Sequence, residues 1–409
     1  MPSILYVGTM CLLDQRSGAA LSLLRQLTLL AEAGWQVGAV SATLCDGQAE
    51  YSRERLLGPV KARQVRPGQA TLRKRDGVDY HLLVTASSVG KRLATQEARD
   101  LLALAEKVLA KASVDIVVTY GDSVLCRALR QRSRRHARRL AFYLANAEYH
   151  SAEAFAGVDA VICPSEFLAG LYRRRLGITP RVLRNAIGPG HQLPAPRDPE
   201  ARDRIRRDGS ITYINPSPSK GATLFFRLAQ LAWKRRPDLR FLVLEGRVSL
   251  REWQAAGIDP TRMPNVEWLP NQDDMLAIYR RTSVLLFPSF WEEASGRSVG
   301  EAMLSGIPVV ASRRGGVPEQ LNGAGICLAI PPACEARYTH VPSLEEVVPW
   351  LDALTGLLDD PKHYAEACEA VIRAAEPMRP EVTRRATLAL YAALLDSSSQ
   401  TAAGGKRDG

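Results

Sequence analysis

Two carboxylates, Glu293 and Glu301, stand with seven residues between them in a short stretch, Leu286 to Gln320, that reads as chemistry. The apolar run Val284 to Phe287 ends at Pro288-Ser289, a strand stopped by a turn former. Gly296 lies between the two acids and permits backbone angles that other residues resist, so the chain there can approach a ligand closely. Ser298 followed three residues later by Glu301 fits an S/T-x-x-E capping box and predicts a helix over 298–305, before an apolar strand Ile307 to Ala311. Strand, glycine turn and helix N-terminus make an anion site, because free backbone N–H groups and the helix dipole point at one spot. Flanking acids suit sugar hydroxyls, since a carboxylate accepts two hydrogen bonds from a vicinal diol. On spacing alone, Glu301 as a simple capping residue and Glu293 as a solvated loop acid explain the pattern equally well.

A second candidate is Lys220. Asn215-Pro216-Ser217-Pro218-Ser219-Lys220-Gly221 joins an apolar strand, Ile211 to Ile214, to a helical pattern from Gly221 to Arg235. A lysine at a helix start is well placed to neutralise phosphate beside free N–H groups. GxxxxGK[ST] is absent, so this is not a Walker loop, and an ordinary surface lysine is the competing reading.

The elements that must position these residues follow from length and pattern. At 409 residues, two domains are the natural division. The 46% hydrophobic and 24% charged composition is that of a soluble globular protein, with no apolar run long enough to span a membrane. Met1-Pro2-Ser3-Ile4 opens into a strand-like run without a basic n-region, so no secretory signal is expected. Seven scattered cysteines without CxxC spacing argue against a disulfide framework or a zinc site and for a reducing cytoplasm. The six histidines form no ligand pattern, and no metal site is expected. All of the +11 net charge falls in residues 1–190. A one-sided field of this kind favours an anionic partner: an acidic acceptor, an anionic lipid surface or nucleic acid.

Along the chain, Ile4 to Val7 reads as a strand and Ser17-Gly18-Ala19-Ala20 opens an amphipathic helix, with leucines at 21, 24, 27 and 30 and Leu23 broadening the face. Gly34 is a stop signal before a strand Val37 to Val40. This Rossmann-like start lacks GxGxxG, so a dinucleotide cofactor is not supported. Residues 46–77 lose periodicity and gather basic residues, which predicts a solvated loop or a flap that meets an acceptor. Strand and helix patterns then alternate: Val78 to Val84, a helix Arg92 to Leu109, Asp115 to Thr119, a basic helix Cys126 to Arg139, then strands at 140–144, 160–163 and 182–183. The basic helix is either an exposed outer face or a face docking on anionic lipid. Tyr120 and Asp122 follow one strand end, and Asn146, Glu148, Tyr149 and His150 another, where open α/β sheets place ligands. The domains predicted are 1–190, a linker 191–209 rich in proline and mixed charge, and a second alternating series over 210–378. A C-terminal helix over 379–396 is a candidate to pack back toward the first domain, and a polar tail over 397–409 is expected to be disordered. The fold class is therefore α/β, two Rossmann-like doubly wound domains facing each other across a cleft that binds the ligand.

Together these segments resemble a family 4 retaining glycosyltransferase of the GT-B fold, most closely from Ile211 to Leu321. The family's E-x7-E motif matches Glu293 and Glu301 with Gly296 at the usual glycine, and Gly315-Gly316-Val317-Pro318-Glu319 also matches. The resemblance implies that Glu301 holds ribose hydroxyls and Glu293 donor-sugar hydroxyls. Lys220 would hold the diphosphate, with Gly18 across the cleft and the N–H groups of Ser295, Gly296 and Arg297 completing the anion site. Glu293 and Lys220 are the catalytic candidates, and Tyr120, Asp122 and His150 are the acceptor-side candidates. Two positions depart from the pattern. Asn215 stands where the family usually has an arginine, five residues before the lysine, and Thr119-Tyr120-Gly121-Asp122 replaces the stretch that often carries a histidine near the sugar.

The implied activity moves a sugar with retention from a nucleoside diphosphate donor, UDP- or GDP-linked, to a hydroxyl of a cell-surface glycan, lipid-linked or natural-product acceptor. No cofactor or metal is implied, because preorganised positive charge and N–H dipoles can stabilise the departing diphosphate. The implied location is cytoplasmic, either free or peripheral at the inner face of the membrane. Competing readings are a nucleotide-sugar epimerase or phosphorylase of the same fold, or a non-catalytic nucleotide-sugar-binding protein. A nucleic-acid binder is disfavoured, because RNP-like aromatics and helix-turn-helix spacing are absent.

Overall fold

The computed structural model describes residues 1–47, 50–89, 93–111, 113–194 and 198–396. The expected tail over 397–409 lies outside them, as does the expected start of a helix at Arg92.

Two sheets form. The first comprises β1 (Ser3–Val7), β2 (Gln36–Ala42), β3 (Ala70–Arg75), β4 (Val78–Leu83), β5 (Val114–Thr119), β6 (Ala137–Tyr143), β7 (Ala160–Cys163) and β8 (Arg181–Val182). Its eight strands run in the order β3-β4-β2-β1-β5-β6-β7-β8, parallel except for β3, which pairs antiparallel with β4. The second sheet comprises β9 (Ser210–Ile214), β10 (Phe241–Leu244), β11 (Val266–Leu269), β12 (Thr282–Phe287), β13 (Val309–Ser312) and β14 (Ile326–Leu328). Its six strands run β11-β10-β9-β12-β13-β14. The molecule is thus α/β with two doubly wound, Rossmann-like domains. Continuous apolar strands such as Phe241–Leu244, buried throughout, require helices on both faces, and parallel pairing supplies them through crossovers.

Strand order decides where ligands can go. Each sheet reverses direction beside its central strand, between β1 and β5 in the first and between β9 and β12 in the second. Loops leaving those pairs must diverge to opposite faces, which opens a crevice at the carboxyl ends of the strands. Gly18 and Tyr120 flank the first crevice, Lys220 and Glu293 the second.

Several local expectations are revised. On the first helix, Gly18–Glu32, the buried stripe is Leu23, Leu27 and Leu30, at i, i+4, i+7. Leu21 and Leu24 lie at its margin rather than on the seam, as a 3.6-residue period demands of a three-residue repeat. The basic segment 46–77 is not a structureless loop. Its described part holds short helices Arg53–Leu57 and Pro59–Gln64 and the strand β3. Tyr51, Leu56 and Leu57 anchor it in the first core. The stretch 191–209 contains a helix, Pro199–Asp208, capped by Asp198, whose side chain accepts from the Ala201 N–H. No residue of that helix is fully buried, which is why no apolar period marks it. The basic helix spans Val124–His136, and Ala137 to Arg139 already belong to β6.

The final helix, Pro380–Asp396, crosses back to the first domain. Tyr391 and Leu394 join its core, the Tyr391 hydroxyl donates to Gln26 at 2.9 Å, and Arg139 donates to the Leu394 carbonyl at 3.0 Å.

Candidate functional site

The two crevices face each other and enclose a cleft of about 480 Å³. Gly18, Tyr120, Asn215, Lys220, Glu293, Ser295, Arg297 and Glu301 all line it. Residues from both domains therefore meet at one place.

Lys220 follows β9 through a short turn, and the helix Ala222–Arg235 begins at Gly221. Gly221 has φ 84° and lies against Pro288, whose carbonyl oxygen would be 2.0 Å from an added Cβ. No L side chain fits there, and that contact seats the lysine loop on the loop after β12. The Phe290 and Trp291 N–H groups donate to the Ser219 carbonyl, both at 3.0 Å, and stitch the two loops together. The consequence is an ion pair: Lys220 Nζ lies 2.5 Å from Glu293 Oε1, which also accepts from Ser289 Oγ at 2.7 Å. Both bonds fall on one carboxylate oxygen.

Glu293 is held from behind by its own backbone. The Gly316 N–H donates to the Glu293 carbonyl at 2.7 Å. Gly315, at φ 59°, packs so closely that an added Cβ would stand 2.2 Å from that carbonyl oxygen. The Gly315-Gly316 pair is thus a steric requirement of the Glu293 loop.

The helix carrying Glu301 spans Arg297–Leu304, with Gly296 at its N-cap. The predicted capping box does not form. Ser298 is already helical, and the Glu301 carboxylate turns away from the backbone. Its Oε2 accepts from the Tyr279 hydroxyl at 2.5 Å, and Arg297 Nε lies 2.9 Å from Oε1. Glu301 is only 4% exposed, so an ion pair and a phenol donor outcompete a cap that would leave the charge less satisfied. Burial, reinforced by the Glu301 charge, pushes the Tyr279 hydroxyl well above the ordinary phenol range and keeps it a donor. Gly296 also differs from expectation, because its φ of −64° is open to any residue. Space is what requires glycine there: a Cβ would lie 2.8 Å from Val299 Cγ2. Gln320 brackets this turn, donating to the Gly296 carbonyl at 3.0 Å and accepting from Ser295 Oγ at 2.8 Å.

Asn215 takes φ 63°, a left-handed conformation that asparagine tolerates better than most residues. Its Oδ1 accepts from the Arg247 N–H at 3.1 Å and so fixes the loop after β10. Arg247 then reaches across the cleft to Asp46 at 3.0 Å, and Arg55 pairs with Asp273 nearby. Two ion pairs therefore join the domains at the cleft rim.

On the first-domain wall, Tyr120 accepts from Asn146 Nδ2 at 3.3 Å, and burial raises its hydroxyl pKa. Asp122 and His150 lie outside the lining: Asp122 binds Arg127 at 2.8 Å, and His150 is exposed. Sequence reasoning passes over Arg16, Asp46, Tyr143, Asn185, His191 and Arg247, all of which line the cleft. Arg16 carries a usable signal, since it sits in the loop leaving the first strand at the switch point. His191 carries none, because it reaches the cleft from the stretch between the domains. Burial holds its pKa below the ordinary histidine value, against the nearby Glu301. Among the described residues no cluster of histidine, cysteine, aspartate or glutamate is arranged to hold a metal ion, and no helix is long and apolar enough to cross a membrane.

Comparison with known proteins places this geometry. Residues 210–341, about a third of the chain, match the family model described as glycosyl transferases group 1. No curated protein matches the chain in sequence. Among solved structures, sucrose-phosphate synthase from Thermosynechococcus elongatus is similar with a TM-score of 0.69 at 15% identity, over 97% of this chain and 100% of that one. Anabaena HepE in complex with UDP-glucose gives 0.66 at 15% identity, over 96% and 100%. A glycosyltransferase from Rickettsia africae gives 0.65 at 15% identity, over 97% and 99%. The chain has the GT-B arrangement of two facing Rossmann-like domains.

Proposed function

We propose that this chain is a glycosyltransferase that moves a sugar from a nucleoside diphosphate donor to a hydroxyl acceptor with retention of anomeric configuration. The observation that carries the reading is the Lys220–Glu293 ion pair at the meeting of the two switch points, with Glu301 on the same wall. The match of residues 210–341 to glycosyl transferases group 1 and the UDP-glucose held by HepE support a nucleotide-sugar donor, UDP-linked first and GDP-linked second.

In this reading residues 210–378 form the donor side and residues 1–190 the acceptor side. Glu301 accepts from ribose hydroxyls. A carboxylate has about four lone-pair sites; Tyr279 donates to one of them, and Arg297 lies beside the other oxygen as an ion pair. Lys220 exchanges Glu293 for the diphosphate, which frees Glu293 to accept from donor-sugar hydroxyls. The N–H groups of Ser295, Gly296 and Arg297 add the dipole of their helix, and Gly18, with no atom near its Cβ position, leaves room for the diphosphate on the opposite wall.

The acceptor oxygen then bonds to the anomeric carbon as the carbon–phosphate-oxygen bond breaks. The electron pair leaves with the diphosphate, and a leaving-group oxygen takes the acceptor proton. Charge developing on that oxygen meets Lys220 and preorganised N–H groups, and such electrostatic stabilisation usually accounts for more of the rate than any other effect. Domain closure excludes water and so suppresses hydrolysis of the donor. The charge excess of the first domain favours an anionic or membrane-associated acceptor at the cytoplasmic face.

The test is direct. Glu301→Ala weakens UDP binding, and Lys220→Ala cuts turnover of a UDP- or GDP-sugar. Wild-type activity in both variants overturns the proposal. Anomeric configuration of the product, read by NMR, decides retention, and donor incubated without acceptor exposes an isomerase.

A further inference from the structure

The two walls of the cleft meet at a joint directly behind Glu293. On the first-domain side stands the N-terminus of the helix Glu166–Leu176, 11 residues long and capped by Ser165. On the second-domain side stands Glu319, in the short helix Val317–Leu321. The Glu319 carboxylate accepts from the Glu166 N–H at 3.0 Å and the Phe167 N–H at 2.7 Å, and Arg184 lies 3.4 Å from it. A carboxylate from one domain therefore occupies the positive end of a helix in the other, where both charge and hydrogen bonding favour it.

The same joint touches the candidate site. Ser165 Oγ donates to the Ala294 carbonyl at 2.5 Å, one residue past Glu293. Gly316 packs against Ala294 and Ser165 together: a Cβ there would meet the Ala294 carbonyl oxygen at 2.5 Å and Ser165 Oγ at 3.1 Å. Its N–H holds the Glu293 carbonyl. The path from the helix Glu166–Leu176 to Glu293 runs by hydrogen bonds to Glu319, along the backbone of the short helix to its N-cap Gly316, and by the Gly316 N–H to the Glu293 carbonyl.

We propose that Glu319 is a positioning residue that sets the angle at which the two domains meet and, through the Gly315-Gly316 turn, the place of Glu293 in the cleft. Its carboxylate is not part of the cleft lining, so it acts through Glu293 and not on a ligand. The role rests on the glycosyltransferase reading only for its catalytic consequence. The mechanical coupling stands on geometry alone.

The test compares the full-length chain with Glu319→Ala and Glu319→Gln. The glutamine keeps one acceptor oxygen and guards against failure of the alanine variant to fold. Hydrogen exchange at the amides of Glu166 and Phe167 is expected to speed up by about tenfold in Glu319→Ala, the size of one lost helix cap. Exchange across residues 294–296 is expected to rise with it, although these amides lie on the other domain. With UDP-glucose as probe, turnover falls by about tenfold while UDP affinity stays within about twofold, because Glu301 is untouched. Glu319→Gln falls between the two. Faster exchange confined to residues 166–167 would reduce Glu319 to a local cap and overturn the proposal, as would UDP affinity lost in step with turnover. The exchange readout needs no substrate, so failure of sugar transfer itself would leave the coupling result standing.

Discussion

Replacing Tyr279 by phenylalanine tests the phenol bond to Glu301 at the centre of the site. The ring is fully buried, and phenylalanine fills the same space while removing the hydroxyl that donates to Glu301 at 2.5 Å. Hydrogen bonds to charged groups contribute about 1.5–3 kcal/mol. Glu301 keeps Arg297 at 2.9 Å and borders the cleft, where water can partly replace the phenol. The lower end, about 1.5 kcal/mol, is therefore expected, roughly a tenfold loss in the folding constant. Urea unfolding should show this as a lower midpoint with an unchanged slope, since no compactness changes. UDP affinity should fall by a comparable factor, because the carboxylate loses one of the two contacts that orient it. A double-mutant cycle with Glu301→Gln separates the coupling from general loosening of the helix Met275–Arg281. A stability change below about 0.5 kcal/mol, the usual size of a surface substitution, with unchanged UDP affinity, would refute the view that Tyr279 holds Glu301 in register.

Gly315→Ala forces a Cβ to within 2.2 Å of the Glu293 carbonyl oxygen at φ 59°; strain of about 1–3 kcal/mol should lower the thermal midpoint by several degrees, with roughly 2–4 °C for each kcal/mol. Lys220→Met is expected to abolish turnover while Glu293 still accepts from Ser289, and EDTA is expected to leave wild-type turnover unchanged, because the cleft supplies its own positive charge; a metal requirement would show as loss in EDTA and recovery with magnesium. His191 is held below its ordinary pKa by burial, so the unfolded chain binds its proton more readily and stability falls as pH drops from about 7 toward 5. His191→Gln should flatten part of that slope in a urea-midpoint-versus-pH series, and only part, since burial lowers His81 in the same direction.

Much of this protein is legible from one dimension. Alternation of apolar runs with helical patterns dictates parallel sheets, because only crossover helices can cover strands buried on both faces. Lys220 and Glu293 stand out because each follows a strand-like run with turn residues and precedes a helix start, a purely local signal. Local reasoning fails where the partner is distant. Ser298 and Glu301 have the spacing of a capping box, yet Tyr279, twenty-two positions upstream of Glu301, and the burial of the carboxylate give it another role. Gly296 reads as a site of backbone freedom, and packing against Val299 and Phe287 is what requires it. Asp122 and His150 lie just past strand ends, as a site residue should, but an arginine on the next helix takes one and solvent the other.

The sequence by itself determined two α/β halves and the chemical types on the second wall, since periodicity and turn chemistry are properties of neighbouring residues. Only the tertiary structure decided that Lys220 and Glu293, 73 positions apart, share one proton-donating contact. It also placed Arg16, His191 and Arg247 in the cleft and set Glu319 on a helix of the other domain. Those facts depend on strand order, and strand order is fixed by how buried faces pack together, a choice that no local window of sequence contains.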